Sequence, residues 1–151
     1  MIRRLVIDTD PGVDDALALM LAWHHAGANI AMITTVAGNV PILTATRNTR
    51  RLAGLLAHIN RSADGQPMPV IAQGEARPLR SSLRTATHVH GTDGLAGAST
   101  LPGRAGRPIF DVAQPSARRD AVGLMIESAR VHGDQLTIVA LGPLTNLARA
   151  L

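Results

Sequence analysis

Apolar residues fall along this chain in short solid runs, separated by longer stretches of helical period. The runs lie within 4–9, where Leu5-Val6-Ile7 is the apolar part, and within 30–36, 70–72 and 136–141. Each is too short for a helix and apolar at successive positions, as in strands buried on both faces. Between them, residues 13 to about 27 read as a helix closed by Gly27 as a C-cap. A second helix opens at Pro41 and runs through Leu52, Leu55 and Leu56. Ser116 is the expected cap of a third helix, 118 to about 132, with apolar positions Ala121, Val122, Leu124, Met125, Ile126 and Ala129. Pro143 starts a last helix whose Leu144, Leu147, Ala148 and Leu151 share one face. Strands alternating with helices predict an α/β fold, an open and mostly parallel sheet flanked by helices, with right-handed crossovers. Residues 60–69 form a polar connection. Residues 73–115 show little periodicity, and a loop that long in a compact domain carries a function or conceals an element.

The first strand runs straight into an acidic turn, Asp8-Thr9-Asp10-Pro11-Gly12-Val13-Asp14-Asp15-Ala16, with four carboxylates in eight residues. Asp10 suits the helix N-cap and Pro11 the first helical position. A capping box and the positive helix end accommodate one to three acids. Four repel one another unless a cation offsets them, and clustered hard oxygens favour Ca²⁺ or Mg²⁺. The acidic turn, Gly38-Asn39 and Leu141-Gly142 all follow strand ends, where ligands bind in such sheets.

This turn resembles the N-terminal signature of the inosine/uridine-preferring nucleoside hydrolases. Val36-Ala37-Gly38-Asn39-Val40 and Ala140-Leu141-Gly142-Pro143-Leu144-Thr145-Asn146-Leu147-Ala148 are similar to further segments of that family, in the same order. His90-Gly91-Thr92-Asp93-Gly94-Leu95 is a weaker fourth. The resemblance implies a Rossmann-like fold and Ca²⁺-dependent hydrolysis of the N-glycosidic bond of ribonucleosides, giving ribose and free base. By motif position it makes Asp10 and Asp15 metal ligands, with the Leu141 backbone carbonyl as a third. Asp10 doubles as the base that deprotonates the attacking water. Asp14 and Asn39 become ribose contacts, Asp8 a structural brace, and His90 a residue beside the nucleobase. The resembled enzymes are longer and carry further ligands in a second half. The chain is therefore expected to be one domain, 1–151, an N-terminal portion of the hydrolase domain, with little activity alone and a tendency to form homo-oligomers.

Composition narrows the alternatives. The chain is 46% hydrophobic, with Trp23 and Phe110 its only aromatics, so it offers little for stacking on bases. The net charge is +4, but all 15 basic side chains are Arg and are scattered from Arg3 to Arg149, so no nucleic-acid polymer is expected as partner. There is no Cys, hence no disulfide or thiolate chemistry, and no apolar run approaches a membrane span. A cytoplasmic protein without membrane contact is the expectation. His24 and His25, near a helix end, read as cap or surface residues. Two other readings remain at this stage: an Mg²⁺-dependent haloacid dehalogenase-like phosphatase, since Asp8-Thr9-Asp10 also follows a strand there, and a non-catalytic metal-binding remnant.

Overall fold

All the apolar runs become strands of one parallel sheet. The computed structural model describes residues 3–25, 28–59, 67–103 and 106–151. In chain order the elements are β1 (Arg4–Thr9), α1 (Val13–His24), β2 (Asn29–Thr35), α2 (Ile42–Ile59), β3 (Val70–Gln73), the single turn α3 (Thr87–His90), β4 (Ala117–Arg119), α4 (Ala121–His132), β5 (Leu136–Ala140) and α5 (Thr145–Ala150). The sheet order is β4-β3-β2-β1-β5. The chain steps outward from β1 to β4 and then returns to lay β5 on the other side of β1. That reversal creates a switch point at the carboxyl end of β1, the usual place for a ligand in an open sheet.

Successive residues of the central strands feed two separate cores, which is why they read as unbroken apolar runs. Ile7 and Ile33 pack with Ala16 and Leu19 of α1 and Leu52 of α2 on one face. Their neighbours Val6 and Met32 pack with Ala72, Ala121 and Met125 on the other face, under α4 and α5. Full burial of side chains such as Leu19, Leu52, Ile33 and Met125 contributes about 1.5–3 kcal/mol each. The long segment 73–115 belongs partly to the first core, because it inserts Leu95 and Phe110 there. It contains α3, a 3₁₀ turn at Ala98–Thr100 and a Pro102–Pro108 bridge.

Several boundaries differ from expectation for local reasons. α1 is capped by Gly12, not Asp10, and Pro11 precedes the cap, so the helix begins two residues later than Asp10 capping requires. Ser116 caps nothing. Residues 117–119 instead pair with β3 as the edge strand β4, and α4 starts behind Asp120, whose side chain accepts the Gly123 amide hydrogen at 2.8 Å. The three residues Ala-Arg-Arg carry no apolar alternation, so only the open edge of β3 specifies that strand. Gly27 and most of the 60–69 connection lie outside the described residues. His24 ends α1, with its ring Nδ1 2.8 Å from the Met20 carbonyl. Among the described residues no helix is long and apolar enough to cross a membrane.

Candidate active site

Three strand ends converge on Asp10. It leaves β1 with only 4% of its surface exposed, and its Oδ2 accepts the Asn39 amide hydrogen at 2.6 Å. Gly38, beyond β2, and Gly142, beyond β5, close on it from two sides. A Cβ at Gly38 would collide with Asp10 Oδ2 and lie 2.7 Å from Pro143, and one at Gly142 would lie 2.8 Å from Asp10 Oδ1. Glycine is required at both positions by close approach rather than by backbone angle. The Leu141-Gly142 turn is tied down by its amides, which donate to the Asp8 carbonyl at 2.8 and 3.3 Å. Burial, opposed by the Asn39 amide and assisted by the charges of Asp15 and Asp14, raises the Asp10 carboxyl from 3.8 to about 6.

Asp15, at the third position of α1, is 5% exposed and fully engaged. Its Oδ2 accepts the Gly12 amide hydrogen at 3.0 Å and the Asn39 side-chain Nδ2 at 3.2 Å, while Oδ1 accepts the Thr9 hydroxyl at 2.6 Å. Asn39 thus bridges the two carboxylates, giving its backbone N–H to Asp10 and its side-chain N–H to Asp15. Asp14 points the other way, with 80% of its side chain exposed. His90 Nδ1 lies 3.9 Å from Asp14 Oδ1 and accepts the Val13 amide hydrogen at 3.3 Å. The His90 ring also packs on Gly12, where a Cβ would lie 2.9 Å from both the ring and the Asn39 amide nitrogen.

Asp8 lies beneath this layer, fully buried. Its Oδ1 accepts the Thr34 hydroxyl at 2.6 Å and Asn146 Nδ2 at 2.8 Å, while Oδ2 has no partner. Desolvation outweighs those two hydrogen bonds and pushes its carboxyl above the usual range. Asn146 is the residue that sequence reasoning quoted without giving it a task. Besides Asp8, it donates to the Thr35 carbonyl at 2.9 Å and accepts the Glu75 amide hydrogen at 2.8 Å, joining the ends of β1, β2 and β3. Thr9 and Thr34 were likewise missed; both are short polar residues in apolar runs, which is the one signal that could have marked them.

The structure thus brings Asp10, Asp15, Asn39 and the Leu141-Gly142 turn together, sets Asp14 and His90 at the rim, and puts Asp8 in the foundation. Among the described residues no group of three or more His, Cys, Asp or Glu side chains could hold a metal ion. The central donors are two carboxylates beside a backbone turn, all oxygen, and burial together with the neighbouring Asp15 and Asp14 charges favours the neutral form of Asp10. Such donors suit a hard divalent cation and supply part of the six to eight oxygens that Ca²⁺ takes.

A family profile described as inosine-uridine preferring nucleoside hydrolase matches residues 5–151. The chain belongs to that family. It is 37% identical to uridine nucleosidase 1 of Arabidopsis thaliana over 150 residues, 99% of this chain and 40% of the relative. It is 42% identical to the pyrimidine-specific ribonucleoside hydrolase RihA of a Shewanella species over 151 residues, covering 100% of this chain and 42% of the relative. Among solved structures, a plant nucleoside hydrolase, PpNRh1, superposes with a TM-score of 0.75 at 30% identity, over 99% of this chain and 42% of that one. A purine-preferring ribonucleoside hydrolase from Gardnerella vaginalis gives 0.74 at 27% identity, over 99% and 43%. The chain therefore spans about two fifths of the length of the relatives it matches. These matches run to nucleoside hydrolases, and the phosphatase and remnant readings are not favoured.

Proposed function

We propose that the protein carrying this chain hydrolyses the N-glycosidic bond of ribonucleosides with Ca²⁺ as cofactor, and that the Asp10-Asn39-Asp15 cluster at the β1/β5 switch point is the ribose end of its active site. The single observation that carries this reading is the bridged pair of buried carboxylates at that switch point, in a chain of this family. Its relatives are named for uridine, pyrimidine and purine substrates, so what they share is the ribose.

Asp10, Asp15 and the Leu141 carbonyl would hold the ion, which supplies Lewis acidity that lowers the pKa of water and a fixed point for the ribose diol. The residues of the chain do the rest. Asp10, a buried carboxylate at the end of β1, is placed to take the proton of the attacking water. As the water oxygen bonds to C1′, the C1′–N bond breaks and its electron pair leaves with the base, which takes a proton from solvent while Asp10 later returns the one it received. Asn39, with its N–H groups committed to the two carboxylates, offers its side-chain oxygen to a ribose hydroxyl. Asp14 stands free at the rim to accept a second hydroxyl proton, and His90 lines the side toward the base. Asp8 braces β1 from below.

The test is ribose release from uridine and inosine by the whole protein that carries this chain, measured with added Ca²⁺ and with chelator, alongside phosphate release from p-nitrophenyl phosphate. Ca²⁺-dependent ribose release that Asp10→Asn abolishes is the expected result. Phosphate release without ribose release overturns the reading.

A further inference from the structure

The segment that carries His90 is built around one side chain that no functional reading has used. Asp93 Oδ1 accepts the amide hydrogens of Leu95 and Gly97, both at 3.0 Å, and Oδ2 accepts that of Ser99 at 3.2 Å. Its backbone carbonyl accepts Asn48 Nδ2 at 2.7 Å, anchoring the loop to α2. Within the wrapped loop, the Ala96 amide donates to the His90 carbonyl at 2.7 Å, with Ala96 held at φ +51°. Gly94 is pressed so closely against Val40, Asn48 and the Pro11 carbonyl that a Cβ there would lie 2.8–3.1 Å from all three. The same loop that holds the His90 backbone is thus wedged against the acidic turn.

The consequence falls on the imidazole. His90 Nδ1 accepts the Val13 amide hydrogen, so in the neutral ring Nδ1 carries no proton and Nε2 does. We propose that Asp93 is a positioning residue: by wrapping residues 95–99 it holds His90 with Nδ1 turned onto the first amide of α1, leaving Nε2–H as the only ring atom free to meet a ligand. His90 then presents a hydrogen-bond donor, and the ligand group that fits it is an acceptor such as a nucleobase carbonyl or ring nitrogen. Burial would by itself raise the Asp93 carboxyl, but the Ser99 side chain and the Gly97, Leu95 and Ser99 amides draw it down to about 2, so it stays a charged acceptor at every working pH.

This assignment rests on the turn being the ribose end of a nucleoside site, but its test does not. Long-range ¹⁵N–¹H spectra of the imidazoles, with His90 identified by His90→Gln, report the tautomer, and amide exchange reports the Val13 hydrogen bond. The wild-type chain should show His90 as the single Nε2–H tautomer above its titration range. Asp93→Ala should give averaged tautomers and accelerate Val13 exchange about 5–10-fold relative to the core amides of Leu19 and Ile33, the fold-change for losing about one hydrogen bond. Asp93→Asn keeps the acceptor that serves Leu95 and Gly97 and should restore the wild-type spectrum. If Asp93→Ala does not fold, Asp93→Ser, whose hydroxyl meets at most one of the three amides, takes its place. Unchanged tautomer and Val13 exchange overturn the proposal, as does acceleration shared equally by Leu19 and Ile33. Failure of ribose release by the whole protein that carries this chain would sink the hydrolase reading and leave this spectral signature standing.

Discussion

Asn146→Ala should destabilise the chain strongly, although Asn146 lies beneath the proposed active site. Asn146 is fully buried and makes three hydrogen bonds, to Asp8, the Thr35 carbonyl and the Glu75 amide. The bond to the Asp8 carboxylate contributes about 1.5–3 kcal/mol, and stranding the Thr35 and Glu75 backbone groups costs about 1–3 kcal/mol each where water does not replace the amide. Gly74 packs directly against the Asn146 amide, so truncation also leaves a gap between them. Allowing for partial relaxation, the loss is about 3–5 kcal/mol, a large share of the ~5–15 kcal/mol stability of a domain. For this length that corresponds to roughly 10 °C in melting temperature. Urea unfolding followed by circular dichroism measures it, with Leu43→Ala on the exposed side of α2 as the control. A loss under ~1 kcal/mol would refute the view that Asn146 ties the three strand ends together.

Three further outcomes follow from the same geometry. Folding holds the Asp10 carboxyl at about 6 against 3.8 unfolded, so its contribution to stability is complete below pH 3.8 and is lost, by ~3 kcal/mol, as pH rises through 6. Melting curves should therefore show Ca²⁺ stabilising the wild type more at pH 7.5 than at pH 5, and Asp10→Asn should flatten that difference. Gly38→Ala must push Asp10 or Pro143 aside and should cost about 1–3 kcal/mol together with cation affinity, read by urea titration and calorimetry. Asp14→Ala removes an exposed rim carboxylate and should leave both stability and Ca²⁺ affinity near wild type while weakening ribose binding, which calorimetry with each ligand separates.

The fold was legible where the chain's signals were long. Apolar runs such as 30–36 needed both faces buried, and the structure buries both. The carboxyl-edge convergence of Asp10, Asn39 and Leu141-Gly142 followed from their places directly after strands of a parallel sheet. Short or non-local features escaped. β4 exists because β3 has an open edge, and nothing in Ala117-Arg118-Arg119 says so. Asp10 looked like a cap because local spacing allowed it, but a nearer donor, the Asn39 amide 29 residues away, draws its carboxylate across the turn. Asn146 meets Asp8 over 138 residues, a pairing no window could contain. In the 73–115 segment, the aromatic and aliphatic anchors Phe110 and Leu95 are isolated in sequence and join the core only in three dimensions.

The central claim is that Asp10 and Asp15 form part of a divalent-cation site at the carboxyl end of β1. A Ca²⁺ titration of the ¹⁵N-labelled chain, followed at the amides of Gly12, Gly38, Asn39 and Gly142, tests it most directly. The expected result is a saturable shift confined to those amides and their neighbours, absent in Asp15→Ala. A wild-type spectrum that does not respond to Ca²⁺, or an Asp15→Ala spectrum that responds identically, would contradict it.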